Sequence, residues 1–298
     1  MKLTNRRILR RAIVFTVILF SVLSRINSGG GDNDSIKREP EKLPVDAGQI
    51  WSVNASGRKF SYERRKGFRG SVSNRNVLVG ELAVRTTAEE LNENLALPFD
   101  IKVVFEECGG PDSFYDNESK KIVICNELID TYHHLFSRTL KTKAARDEAT
   151  KGAIVSMFLH EVAHALIEGW DLPITGREED AADQFSTLML INSLLGGEEM
   201  ALNGARSFKL LAVLEKGQAK DYADPHSLDE QRFFNSTCLI YGNRPVENEY
   251  LIRNGTVPVE RAFECEEDYA RVSRSWQRLL SPYLIRPNTY RWLDRNKS

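Results

Sequence analysis

The 298-residue sequence predicts an α+β fold, a small N-terminal β-sheet or hairpin followed by a mainly helical bundle. Three observations carry this. Two β-rich runs, Ile101–Glu106 and Lys121–Asn126, stand close together with turn residues between them. Helical apolar periods then follow one another to about residue 281. Strands first and helices after are the order of an α+β chain. The stretch from 77 to 284 shows no internal repeat and is long enough for one substantial core.

The elements are taken in chain order. Lys2, Arg6, Arg7, Arg10 and Arg11 precede Ala12–Leu23, an uncharged, mainly apolar run of 12 residues. A helix needs about 20 residues to cross a bilayer, so residues 1–27 read as a signal peptide. No Ala-x-Ala follows and Arg25 stands close, which keeps an uncleaved N-terminal anchor as the alternative. Residues 28–48 are a flexible linker, rich in Gly and charge. Residues 49–76 form an N-terminal arm of uncertain structure. Its stretch Arg58–Arg69, basic with interleaved aromatics, reads as a solvated arm, with an anionic envelope surface as the alternative partner.

Thr87-Ala-Glu-Glu90 has the capping-box spacing and predicts the start of a short helix. Gly109-Gly-Pro and Asp116-Asn are the turn signals between the two strands. Helices are predicted near 126–138, 147–168, 178–195, 198–216, 227–241 and 266–281. Gly169 and Pro173 mark the end of the second of these. Residues 285–298 are a tail.

The second helix carries Phe158-Leu-His-Glu-Val-Ala-His-Ala-Leu-Ile167. His160 and His164 are four apart, so both imidazoles lie on one helix face and can grip one metal ion, zinc by the usual chemistry. Glu161 lies between them, where it can act as base on a metal-activated water. The bland alternative is a hydrogen-bonded pair of core histidines.

A catalytic zinc needs a third protein ligand. The segment Thr175-Gly-Arg-Glu-Glu-Asp-Ala-Ala-Asp183 supplies candidates. Thr175 and Glu178 have capping-box spacing, which gives Glu178 a structural task at a helix start. Glu178 and Asp180 complement the helix dipole there. Glu179 and Asp183 then face one way, and Glu179 is assigned as third ligand with Asp183 holding a ligand histidine's N–H. An exchange, with Glu178 or Asp183 as ligand, stays open. Among the other histidines, His133 and His134 read as surface residues on a helix.

HExxH followed by Glu-x-x-x-Asp resembles the gluzincin group of zinc peptidases. More closely, the chain resembles a bacterial family of uncharacterised metallopeptidases. The matching strings are Phe114-Tyr-Asp, Ile122-Val-Ile-Cys-Asn-Glu-Leu128, His160–His164, Thr175–Asp183 and His226-Ser-Leu-Asp-Glu-Gln-Arg-Phe233. They span roughly Asn76 to Leu284. The resemblance implies a zincin-like fold and an exported zinc peptidase acting on peptides or proteins. It implies that the 101–126 hairpin lies beside the metal helix and takes the substrate as an added strand. It also implies a histidine outside the metal shell that stabilises the oxyanion, and His226 is proposed for this, oriented by Asp224 or Asp229. Arg232 and Tyr241 are alternative donors.

Partners and compartment follow from charge and cysteine. The net charge is −1, but the first 28 residues hold six basic groups and no acidic ones. The remainder carries 35 basic groups against 42 acidic, which argues against nucleic acid. Cys108, Cys125, Cys238 and Cys265 allow three pairings; Cys108–Cys125 and Cys238–Cys265 are favoured because each closes a local segment. Disulfides would fit a periplasmic or extracellular protein, secreted or anchored. The rival readings are a metal-binding envelope protein without catalysis and a membrane-tethered interaction module without metal. Oligomeric state is not encoded in any feature of the chain.

Overall fold

A computed structural model describes residues 57–64, 74–192, 197–215 and 224–285. The expected signal or anchor segment, the linker and most of the C-terminal tail lie outside the described residues. The element order is β1 (Phe60–Arg64), α1 (Asn74–Asn94), β2 (Ile101–Glu106), β3 (Ser113–Asp116), β4 (Lys121–Cys125), α2 (Asn126–Ser137), α3 (Lys143–Trp170), α4 (Glu178–Asn192), α5 (Gly197–Glu215), α6 (Asp229–Asn243), α7 (Tyr250–Arg253) and α8 (Val259–Leu280). A turn of 3₁₀ helix, Ser281–Tyr283, follows. The chain is α+β, with a small sheet and then a mainly helical body.

The sheet differs from the expected hairpin. Its order is β1-β2-β4-β3. β2 and β4 are neighbours but run parallel, with Val103 opposite Ile122. The antiparallel hairpin is made by β3 and β4, with Phe114 opposite Val123. A parallel pair cannot be closed by a tight turn. The chain between β2 and β4 therefore makes its own edge strand, flanked by the turn signals Gly109-Gly-Pro and Asp116-Asn.

β1 is also new, and it corrects the reading of Arg58–Arg69 as a wholly solvated arm. Phe60 is 2% exposed and meets Phe158 edge-on, with ring centroids 5.7 Å apart. The strand pairs parallel with β2, Phe60 opposite Ile101. Among the residues given as a short helix opening at Thr87, Thr87 instead sits inside α1, its Oγ1 donating to the Ala83 carbonyl.

α3 is the central element and packs on α1, α2, α4, α5 and β3. Its start is capped by Thr142, whose Oγ1 accepts from the Ala145 N–H at 3.2 Å. Ala153, Ile154, Val155, Phe158, Leu159, Val162, Ala163, Ala165 and Leu166 are buried around nearly its whole circumference. Each side chain of leucine or phenylalanine size buried there contributes about 1.5–3 kcal/mol. Gly169 does not stop the helix. It lies in the last turn, where a Cβ would stand 2.4 Å from Pro98, so glycine permits that close approach. The left-handed position falls to Asp171, at φ 50°.

The end of the described chain returns to this helix. Tyr283 stacks flat on Trp170, ring centroids 3.9 Å apart, and its carbonyl accepts from the Ala96 N–H at 2.8 Å. Disulfides join Cys108 to Cys125 and Cys238 to Cys265. Among the described residues, no helix is long and apolar enough to cross a membrane.

Candidate metal centre

α3 and α4 bring three donor atoms together. His160 Nε2 lies 3.1 Å from His164 Nε2 and 3.0 Å from Glu179 Oε2, and His164 Nε2 lies 3.4 Å from the same oxygen. A tetrahedral zinc with bonds of about 2.0–2.1 Å sets its nitrogen and oxygen ligands about 3.3 Å apart. The spacing of the three atoms is that of one tetrahedral face. Two imidazoles and a carboxylate are also the donor types such an ion takes. The residues fit a metal, and His160, His164 and Glu179 are the ones that could hold it.

The other ring nitrogens are engaged. His160 Nδ1–H donates to Asp183 Oδ1 at 2.9 Å, and His164 Nδ1–H donates to Glu178 Oε1 at 2.7 Å. Each bond fixes the tautomer that leaves Nε2 free to face the centre. The Glu178 contact differs from the capping task expected of it. α4 starts at Glu178 itself, and the Ala181 N–H bonds to the Arg177 carbonyl, so Thr175 is not the cap. Asp180 accepts from Ser227 Oγ at 2.7 Å, beyond any dipole effect. Asp183 takes a two-point hydrogen bond from Arg232, at 2.7 and 2.8 Å.

Glu161 is buried, and Ser113 Oγ at the head of β3 donates to its Oε1 at 3.0 Å. Two helical turns on, Glu168 accepts from Tyr115 Oη and pairs with Lys120. Ser113 and Tyr115 share one face of the strand, and Glu161 and Glu168 share one face of α3. Matching strand and helix periods thus hold the edge strand beside the metal helix. The chain between β2 and β4 is further held by Glu127, which accepts from the N–H groups of Cys108 and Gly109.

His226, in the turn before α6, donates from Nε2 to Glu179 Oε2 at 2.9 Å and from Nδ1 to Asp224 Oδ1 at 3.0 Å. Asp224, and not Asp229, is its partner. Arg232 and Tyr241 do not line the cleft: Arg232 is 8% exposed and Tyr241 packs against the hydrophobic core. His133 of α2 pairs with Asp147 of α3, and His134 is exposed.

The cleft has a volume of about 460 Å³. Ser113, Phe114, Tyr115 and Asn117 line one side; His160, Glu161, His164, Glu168, Glu178, Glu179 and His226 line the other. Burial alone would make His160 harder to protonate, but hydrogen bonds to Asp183 and Glu179 outweigh it and raise its pKa to about 9. Burial pushes the Glu161 carboxyl above its usual range, against the pull of His160, His164 and Ser113. Burial also opposes ionisation of Glu179 and Asp183. The histidines around Glu179 and Arg232 beside Asp183 reverse this and hold both carboxyls well below the usual range. His226 is raised, chiefly by its bond to Glu179. The cluster therefore gathers positive charge between carboxylates, and protons and a metal ion compete for the same nitrogen lone pairs.

Fold and site together define an α+β protein in which His160 and His164 of α3 and Glu179 of α4 form a group that could hold a metal ion. The chain belongs to the family described as "Putative metallopeptidase", whose profile matches residues 69–280. No curated protein and no solved structure matches it.

Sequence reasoning missed Ser113 and the tasks of Glu178 and Arg232. Ser113 carried no signal, because its role depends on β3. Glu178 was one residue from the assigned ligand, yet its direction depends on where α4 begins.

Proposed function

We propose that the protein is an exported zinc-dependent peptidase with a zincin-like site. The observation that carries this is the shared face of His160 Nε2, His164 Nε2 and Glu179 Oε2, with Glu161 beside it in an open cleft. When bound, zinc supplies a Lewis acid that brings the pKa of a water to about 7 and polarises a carbonyl.

The chain's own residues do the rest. Glu161, its carboxyl held by Ser113, takes the proton of the attacking water and passes it to the leaving amine. His226, oriented through Nδ1 by Asp224, is the donor for the developing oxyanion: its Nε2–H leaves Glu179 when that carboxylate serves as metal ligand, and turns to the oxyanion instead. β3 is the terminal strand of the sheet, and its open edge suits an extended peptide added as a further strand. Asp183 orients His160. In this reading residues 1–27 direct export or anchor the chain, 28–48 are a spacer, and 77–284 form the peptidase domain. The two disulfides agree with an oxidising compartment.

The test starts from metal content and proteolysis of the purified protein, with and without chelator. Stoichiometric zinc and chelator-sensitive cleavage are expected. Glu161→Gln is expected to keep the zinc and lose cleavage by at least about 100-fold. Zinc without cleavage in wild-type protein would leave the metal-binding envelope protein; absence of zinc would leave the interaction module.

A further inference from the structure

We propose that Arg232 is a positioning residue for the metal centre: it locks Asp183 so that His160 faces the ion and Asp183 itself stays out of the ligand set. This rests on the metal reading above and adds a residue from a third helix. Arg232 lies on α6, reaches α4, and never enters the cleft.

The geometry is specific. Arg232 Nε donates to Asp183 Oδ2 at 2.7 Å and its terminal nitrogen donates to Asp183 Oδ1 at 2.8 Å. Asp183 Oδ1 also accepts from His160 Nδ1 at 2.9 Å. A carboxylate held by one hydrogen bond can turn about its own bond. One held by a planar fork cannot, so the fork decides where Oδ1 points. The fork is itself backed by Phe208 of α5, whose ring centre lies 3.9 Å from the guanidinium carbon. The guanidinium is thus held between an aromatic face and a carboxylate. Asp229, the nearer acid in sequence, stands 3.8 Å away and takes no part in the fork.

Two consequences follow. His160 is kept in the tautomer with Nε2 free. Both oxygens of Asp183 are occupied by the guanidinium, so Asp183 does not compete with Glu179 for the third ligand position. The positive charge of Arg232 would by itself repel a cation, but it lies against Asp183 and the pair presents no net charge. Orientation is what remains.

The experiment measures the zinc dissociation constant by competition with a chromogenic chelator, for wild type, R232K, R232M, D183N and the D183N/R232K double variant. R232K keeps the charge and loses the fork and the stacking. It is expected to weaken zinc at least about tenfold, and R232M up to about 100-fold, the range for lost partners of ligand histidines. In the D183N background, R232K is expected to add less than about twofold, because the residue acts only through Asp183. R232K within about twofold of wild type would overturn the proposal, as would losses that multiply in the double variant. If R232M fails to fold, R232K and the double variant still decide. Wild-type protein without zinc removes the metal reading and this assignment with it, whereas tight wild-type zinc with an unaffected R232K removes Arg232 alone.

Discussion

Glu179 Oε2 stands at the middle of the site, with the Nε2 atoms of His160, His164 and His226 all within 3.4 Å of it. Glu179 and His226 share that oxygen, but in the proposed function one is a metal ligand and the other an oxyanion donor, so their variants differ in what they lose. Glu179→Ala is expected to weaken zinc by more than about 100-fold, beyond the limit for outer partners. His226→Ala is expected to leave zinc bound and to lower kcat about 10²–10³-fold, the cost of an oxyanion donor. Isothermal titration and steady-state kinetics on the two variants check this. At this scale the HExxH part was legible, because helix geometry alone turns residues four apart to one side. The four-residue step from Glu179 to Asp183 pointed to a histidine N–H as the partner of Asp183, and the structure makes that histidine His160. The Glu178 contact to His164 and the Ser113 contact to Glu161 were not legible. Each depends on how one element is set against another.

At the scale of elements, the helix sequence was mostly readable and the sheet was not. α2 and α4 begin where the apolar period and the acidic residues place them, at 126 and 178. β3 has four residues and one exposed aromatic, Phe114, so it lacks the alternation by which a strand is read. Parallel pairing of β2 and β4 was hidden for a similar reason, since direction is set by the chain between them. α6 and α8 show a tighter constraint. A Cβ on Gly242 would stand 2.0 Å from the Cys265 carbonyl oxygen, and Cys265 is tied to Cys238 of α6. Gly242→Ala gains about 1 kcal/mol of helix propensity. Overpacking against a tethered backbone costs about 3 kcal/mol or more. Net destabilisation of about 2 kcal/mol is expected, read from the urea midpoint of the metal-free protein.

Across the whole molecule, the two disulfides tie different regions. Cys108–Cys125 holds the β2–β3 connection to the sheet, and Cys238–Cys265 holds two helices of the bundle. Loops of 17 and 27 residues predict about 3 kcal/mol of stabilisation each. Cys238→Ala with Cys265→Ala is expected to lower the unfolding free energy by that amount in metal-free protein, and a denaturant titration checks it. Evenly numbered, widely spaced cysteines were a legible sign of such bonds. The domain was read to residue 284, but the stacking of Tyr283 on Trp170 was not legible, because nothing in Ser281–Tyr283 marks it as a packing element.

Tyr283 lies against Trp170, and the Ala96 N–H is met by the Tyr283 carbonyl. Stretches of chain far apart in sequence, at Ala96 and Trp170, are therefore sealed to one another by a third. A chain cut before Ser281 would lose the flat ring that covers Trp170 and leave that end of α3 bared to water.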